Sequence, residues 1–399
     1  MASSPPSDAA STPTADASAS LAATWPLLVL SVLALAALYA PQPLLPQWAA
    51  RYGRPESQMA LVISVALLPL AATPLAAGAL LRRMPTVYVL RGASVLLACS
   101  VAATAWAPPF AGLLALRVVQ GTAIAALLTA LMTHIVQTQH GPARQKGMAA
   151  YVAATILGGF LGRFGSGLAA SLAPNGVFFL GLAALLLATD AGLRRLPVLS
   201  PPDASRDRTP LRQLLRHGPV MRICAFVFGL FFVFSAVMNF LPFRLHAIRP
   251  SASEGLVGAA YAGYLVGIVS SLGARRMVDA LQHPRWVMGT GGGVVLASLA
   301  IAYGASVGWL VGAVAVLCAG FFVAHAIAAN RVSAVAPASG EGAGGGLVNG
   351  LYVSVYYSGG VLGAYLPGFV YEAYGWTAFL LLLALVTGGG TAALFVCRR

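Results

Sequence analysis

Long apolar runs separated by short polar intervals dominate this chain. A helix needs about 20 mainly apolar residues to cross the hydrocarbon of a bilayer. The sequence supplies twelve such runs, at 25–48, 58–81, 86–107, 110–136, 147–172, 175–195, 220–243, 254–274, 285–306, 308–330, 346–371 and 374–396. The pattern predicts an all-α polytopic membrane protein of twelve transmembrane helices. The longest polar interval, 196–219, includes Pro197, Pro201, Pro202, Asp203, Arg206, Asp207, Arg208, Arg212, Arg216 and His217. It divides the spans six and six. Ahead of the first run, Met1 to Ser20 are mostly Ala, Ser, Pro and Thr with Asp8 and Asp16, and they lack the basic start of a secretory signal. The expected organisation is a disordered cytoplasmic tail at 1–24, an amino-terminal six-helix half at 25–195, a cytoplasmic linker at 196–219 and a carboxy-terminal half at 220–397.

The two halves share a repeat at an offset of 201 residues. Tyr151-Val152, Gly158-Gly159-Phe160-Leu161-Gly162 and Gly167 recur as Tyr352-Val353, Gly359-Gly360-Val361-Leu362-Gly363 and Gly368. Spans 5 and 11 are therefore equivalent elements, and such duplicated halves mark transporters whose site lies between the repeats near the midplane. Small residues let helices approach closely. Gly158, Gly162, Gly359 and Gly363 are accordingly expected where the halves meet, as positions that let them rock.

Composition agrees with the membrane reading: 59% of the 399 residues are apolar, 9% are charged, and the mean hydropathy is +0.82. The net charge of +14 would suggest nucleic acid in a soluble chain. In a membrane chain such residues are loop charges that set topology, so no nucleic-acid partner is expected. Of the 24 Lys and Arg, eighteen fall on one side, four (Arg51, Arg54, Arg244, Arg249) on the other, and Arg117 and Arg163 lie within spans. Both termini are thereby expected in the cytoplasm, with the chain in a bacterial inner membrane and monomeric. Cys99, Cys224, Cys318 and Cys397 stand singly, without metal or redox spacing. No metal, cofactor or Walker A sequence is indicated, so ATP is not the expected driver.

Arg117 and Arg163 are the first candidates for chemistry, because a cation inside the bilayer is costly and usually faces a bundle interior or a watery path. Helical rise places them roughly 10 and 12 Å below the outer ends of spans 4 and 5. Gln42, between Pro41 and Pro43, and Asn239 fall in the same outer third. Prolines free backbone carbonyls, which with Gln42 are plausible partners for a guanidinium. A structural hydrogen-bonding role is the competing reading for both arginines.

All ten acidic residues lie outside the apolar cores, so no intramembrane carboxylate is available to carry a proton. Arginine stays charged. His325 in span 10 is the titratable candidate for proton coupling, with His134 second; packing also accounts for a lone histidine. Tyr356 and Tyr357, and Tyr261 and Tyr264, either stack on a solute ring or pack.

Arg117-Val118-Val119-Gln120-Gly121 in span 4 resembles the fourth-helix Arg-x-x-Gln-Gly signature of the major facilitator superfamily. Leu38-Tyr39-Ala40-Pro41-Gln42-Pro43-Leu44-Leu45-Pro46, Asn239-Phe240-Leu241-Pro242-Phe243-Arg244-Leu245 and Tyr356-Tyr357-Ser358-Gly359 are similar to bacterial inner-membrane proteins described as arabinose or sugar efflux permeases. The resemblance implies a rocker-switch fold with spans 1, 4, 7 and 10 lining a central cavity. It does not identify the solute. The superfamily's loop after span 2 reads Gly-x-x-x-Asp-Arg-x-Gly-Arg, whereas here Gly78-Ala79-Leu80-Leu81 precedes Arg82-Arg83-Met84-Pro85 without the aspartate. The loop after span 8 keeps Asp279 beside Arg275, Arg276 and Arg285, so a charge latch is expected in that half alone.

The function expected is secondary active transport of a small organic solute by alternating access, in the efflux direction and coupled to protons. The solute-facing candidates are Gln42, Arg117, Gln120, Asn239, Tyr356 and Tyr357. Arg163, the four repeat glycines and Asp279 are the gating candidates. The alternatives are an uptake permease or uniporter for a neutral or anionic solute, and a transport-inactive membrane sensor. An intramembrane enzyme requires clustered reactive groups, and the acids are absent from the spans.

Overall fold

The computed structural model describes residues 13–81, 83–174, 176–200, 211–336 and 345–396. Twelve long helical segments correspond to the twelve apolar runs. In the amino-terminal half, spans 1 to 6 are Pro13–Tyr39, Glu56–Leu81, Thr86–Thr104, Phe110–Thr138, Gly141–Leu172 and Gly176–Leu193. In the carboxy-terminal half, span 7 is Gly218–Ile248, span 8 runs through Glu254–Ala260, Tyr261–Leu265 and Val266–Leu281, and spans 9 to 12 are Pro284–Ala302, Val307–Ala334, Gly345–Tyr365 and Pro367–Ala393. Eleven helices of the described residues are long and apolar enough to cross a membrane. Span 11 falls short because it carries Asn349, Tyr352, Ser354, Tyr356, Tyr357 and Ser358.

Span 1 begins at Pro13, so residues 13–24, expected as disordered tail, continue the helix. Alanine is the strongest helix former, and five of these twelve residues are alanine. Residues 1–12, the linker residues 201–210 and the boundary at 397 lie outside the described residues, as do Arg82, Glu341, Arg398 and Arg399. The rest of the linker includes a short helix, Leu211–Arg216. Where helices break, the residue types explain it. Pro41 and Pro43 have no N–H to give the carbonyls four residues back, and span 1 stops at Tyr39, passes through the tight turn Gln42–Leu44 and resumes as Leu45–Tyr52. Span 12 is interrupted at Gly375, whose φ of 76° suits glycine.

The repeat glycines pack within each half, which corrects their expected place between halves. A Cβ on Gly158 would lie 2.3 Å from the Val32 carbonyl oxygen and one on Gly162 2.4 Å from that of Ala36, both on span 1. Gly359 and Gly363 stand in the same relation to Phe228 and Phe232 of span 7, at 2.2 and 2.1 Å. The last members of the repeat do meet the opposite half. A Cβ on Gly167 would fall 2.3 Å from the Glu254 carbonyl oxygen, and one on Gly368 3.0 Å from Ser57 Cα. Gly258 presses in turn against Arg163 and Phe164: a Cβ there would lie 2.9 Å from the Arg163 oxygen.

Substitutions should separate these roles. Gly162→Ala and Gly363→Ala place a methyl group against rigid backbone and are expected to lower stability by about 1–3 kcal/mol. Gly293→Ala meets nothing within 4 Å and should be neutral or stabilising by up to about 1 kcal/mol. Thermal unfolding in detergent reads both.

Candidate functional site

Between the halves lies a cavity of about 340 Å³. Its wall is aromatic. Phe231 and Phe234 come from span 7, Tyr264 from span 8, Phe321, Phe322 and His325 from span 10, and Tyr352, Tyr356 and Tyr357 from span 11. The amino-terminal half adds Tyr39, Tyr151, Leu128, Met132, Thr73, Thr129 and Thr155. The rings are ordered in stacks: Phe231 on Tyr356 with centroids 4.1 Å apart and planes at 2°, and Phe234 on Phe321 at 4.0 Å and 26°. No Asp, Glu, Lys or Arg is among the described lining residues. Spans 2, 5, 8 and 11 contribute as fully as the expected spans 1, 4, 7 and 10.

Of the sequence candidates, Tyr356, Tyr357 and His325 line this cavity; Gln42, Arg117, Gln120, Asn239 and Arg163 do not. His325 Nδ1 and the Tyr352 hydroxyl share a hydrogen bond of 3.0 Å, and the imidazole lies parallel to Phe321 at 8° with centroids 5.8 Å apart. His134 is buried on a 3.0 Å hydrogen bond to Thr86 Oγ1, a packing role within the amino-terminal half.

Arg117 fills the gap left by the span 1 prolines. The helical donor for the Ala37 carbonyl would be Pro41, which has no N–H. Arg117 Nη1 donates to that oxygen at 3.1 Å and Nη2 to the Leu38 oxygen at 2.5 Å, while Nε donates to the Val62 oxygen of span 2 at 2.9 Å. Nη1 also donates to Gln120 Oε1 at 2.6 Å, and Gln120 Nε2 donates to the Ser100 oxygen and Thr104 Oγ1 of span 3, each at 3.0 Å. The Arg-x-x-Gln pair thus ties spans 1 to 4 together. Gly121, next in the motif, lets span 4 reach span 2, since a Cβ there would sit 2.1 Å from the Ala66 oxygen.

Arg163 is also buried, but in a different environment. Its Nε donates to Gln42 Oε1 at 2.5 Å and its Nη1 to the Gly159 oxygen at 2.7 Å, while Nη2 has no hydrogen-bond partner. Three tyrosine rings surround the guanidinium: Tyr39 of span 1 at 4.1 Å, and Tyr264 and Tyr261 of span 8 at 4.7 and 5.2 Å. Tyr261 is fixed by donating to the Met238 oxygen at 2.8 Å.

One end of the interface is sewn shut. Glu372, near the start of span 12, accepts from the Ser57 N–H at 2.6 Å and the Ser57 hydroxyl at 2.9 Å, capping the first turn of span 2 from the opposite half. Ser64 Oγ donates to the Val361 oxygen at 2.8 Å. Asn239 Nδ2 bridges the Ala60 and Ala364 oxygens at 3.4 and 3.0 Å. Sequence reading missed Glu372, for which the signal was an acid at the outer start of span 12. From this seal the cavity extends toward Met148, Ala329 and Asn349, near the arginine-rich connections.

Asp279 is exposed, and the side chain of Arg275, its nearest expected latch partner, lies outside the described residues. The ion pairs described join Asp190 of span 6 to Arg91 of span 3 at 2.7 Å and to Arg194 at 2.9 Å, in the half expected to lack a latch.

The Major Facilitator Superfamily model matches residues 27–352. The chain belongs to this superfamily. As a member it is a multi-pass membrane transporter, not an enzyme. It is 25% identical over 377 residues to the uncharacterized MFS-type transporter YybF of Bacillus subtilis, covering 89% of each chain. It is 25% identical over 386 residues to the inner membrane transport protein YnfM of Escherichia coli, covering 92% of this chain and 89% of that one. Among solved structures, a bacterial homologue of the human lysosomal transporter Spinster, inward-facing and unoccupied, superposes with a TM-score of 0.73 at 14% identity, over 96% of this chain and 95% of that one. A mutant of the nucleoside transporter NupG gives 0.77 at 14% identity, over 94% and 99%. These likenesses establish the superfamily fold.

If the Arg117 network is a structural tie, Arg117→Lys loses stability rather than recognition. A single ammonium cannot reach oxygens on spans 1 and 2 at once, and each buried acceptor left bare costs about 1–3 kcal/mol. The variant is expected to lose about 2–4 kcal/mol in thermal unfolding while binding solute within about twofold of the native protein.

Proposed function

We propose that this transporter exports a neutral or anionic organic solute with a planar ring, coupled to protons, by rocking its two six-helix halves about the cavity. The observation that carries the reading is the acid-free aromatic wall. Ring faces hold planar apolar groups, and an organic cation would enter without a carboxylate to replace its hydration. Duplicated halves with a site between them are the architecture of alternating access. With the arginine-rich connections in the cytoplasm of a bacterial inner membrane, the seal at Glu372 faces outward and the cavity faces the cytoplasm. The side chains offered for solute contact are Tyr356, Tyr357, Phe231 and Phe234; for proton exchange it is His325, the histidine that faces the cavity.

Proteoliposomes with and without an imposed pH gradient test this. Planar neutral or anionic aromatic compounds are expected to move and organic cations to be excluded. Flux of organic cations alone would sink the reading. Phe234→Ala and Tyr356→Ala should each raise KM by about tenfold, from loss of stacking worth about 0.5–1.5 kcal/mol plus buried area. His325→Ala should abolish the response to the gradient while downhill flux persists; full coupling in that variant would remove His325 from the assignment.

A further inference from the structure

The protein leaves the charge on Arg163 without a counter-ion. The side chain is completely buried, no carboxylate pairs with it among the described residues, and Nη2 donates to nothing. Arg117, equally buried, uses all three of its nitrogens. Two of the three rings that clasp Arg163, Tyr39 and Tyr264, also line the cavity. The spare donor therefore stands one aromatic layer behind the solute wall. A buried cation lacking a partner is costly, and an anion delivered by the solute removes that cost through charge-assisted hydrogen bonds.

We infer that Arg163 is the anion-recognition residue of the solute site, taking the carboxylate of an aromatic acid whose ring lies among Phe231, Phe234, Phe321 and Tyr356. This rests on the proposal that the cavity holds a planar solute, and it narrows that class to aromatic acids. It also supplies a link to the seal. Tyr261 and Tyr264 belong to the half opposite Arg163, so an anion that draws the guanidinium from them weakens a contact between the halves at the closed end. Solute arrival thereby favours opening of that end, as a ligand must when it interacts differently with two states.

Naphthoate and naphthamide, alike in shape and different in charge, are the probes. Calorimetry on the purified full-length protein near neutral pH is expected to show naphthoate bound about tenfold or more tightly than naphthamide, the fold-change of a charged hydrogen bond. Arg163→Gln should bind the two within about threefold, with naphthamide affinity unchanged. Because losing a buried arginine can unfold the chain, a second measurement keeps Arg163 intact. Ser171 Cβ and a Cβ built on Gly255 are 3.7 Å apart across the seal, within disulfide reach. The pair Ser171→Cys and Gly255→Cys, with the native cysteines replaced by serine, should oxidise readily, about fivefold more slowly with saturating naphthoate and unchanged with naphthamide. Equal binding of acid and amide by the native protein overturns the inference and leaves the aromatic cavity standing. Binding of neither overturns both. Cross-linking indifferent to bound naphthoate overturns the link to the seal.

Discussion

Inside a bilayer every backbone polar group must find a partner within the protein, and the helical ladder of this chain is broken where Pro41 and Pro43 end span 1. The structure is arranged around the repair. Arg117 reaches from span 4 to the freed Ala37 oxygen and onward to span 2, and Gln120 extends the tie to span 3. Arg163 takes Gln42, the residue between the prolines. Both membrane-embedded cations thus converge on one helix break, and from there their roles diverge: one is consumed by the repair, the other retains a free donor beside the cavity.

The division of labour between the halves follows. The amino-terminal half carries the break, both arginines and the described ion pairs of Asp190 with Arg91 and Arg194. The carboxy-terminal half supplies most of the rings and the histidine. A planar acid would meet charge on one side and stacking on the other. Binding such a solute engages both halves at once, which is the condition for solute to influence how they rock.

The fold was legible because bilayer thickness imposes a length and a polarity on each helix, and twelve runs of the right size leave few alternatives. The repeat was legible too, but its meaning was not. Gly158 and Gly167 look alike in sequence, yet one meets span 1 and the other meets span 8, a difference set by helix rotation that no spacing reveals. The signature at Arg117 was visible and pointed to function, whereas its partners are carbonyls, which carry no sequence mark. The aromatic wall was readable only in part. Phe228, Phe231 and Phe234 recur every third position in span 7, the spacing of a helix face, but the hydrocarbon-facing and cavity-facing sides of a membrane helix are both apolar.

The seal has a further property. At Gly167, Gly258 and Gly368 the halves touch at close range, with added carbons falling 2.3 to 3.0 Å from an opposing atom. Such a seam senses volume and is nearly indifferent to chemistry. One methyl group at any of these positions acts as a wedge, and in the proposed rocking motion, which parts those surfaces, the wedge burdens only one of the two conformations. The balance between states is thereby adjustable in single-carbon steps at sites remote from the solute.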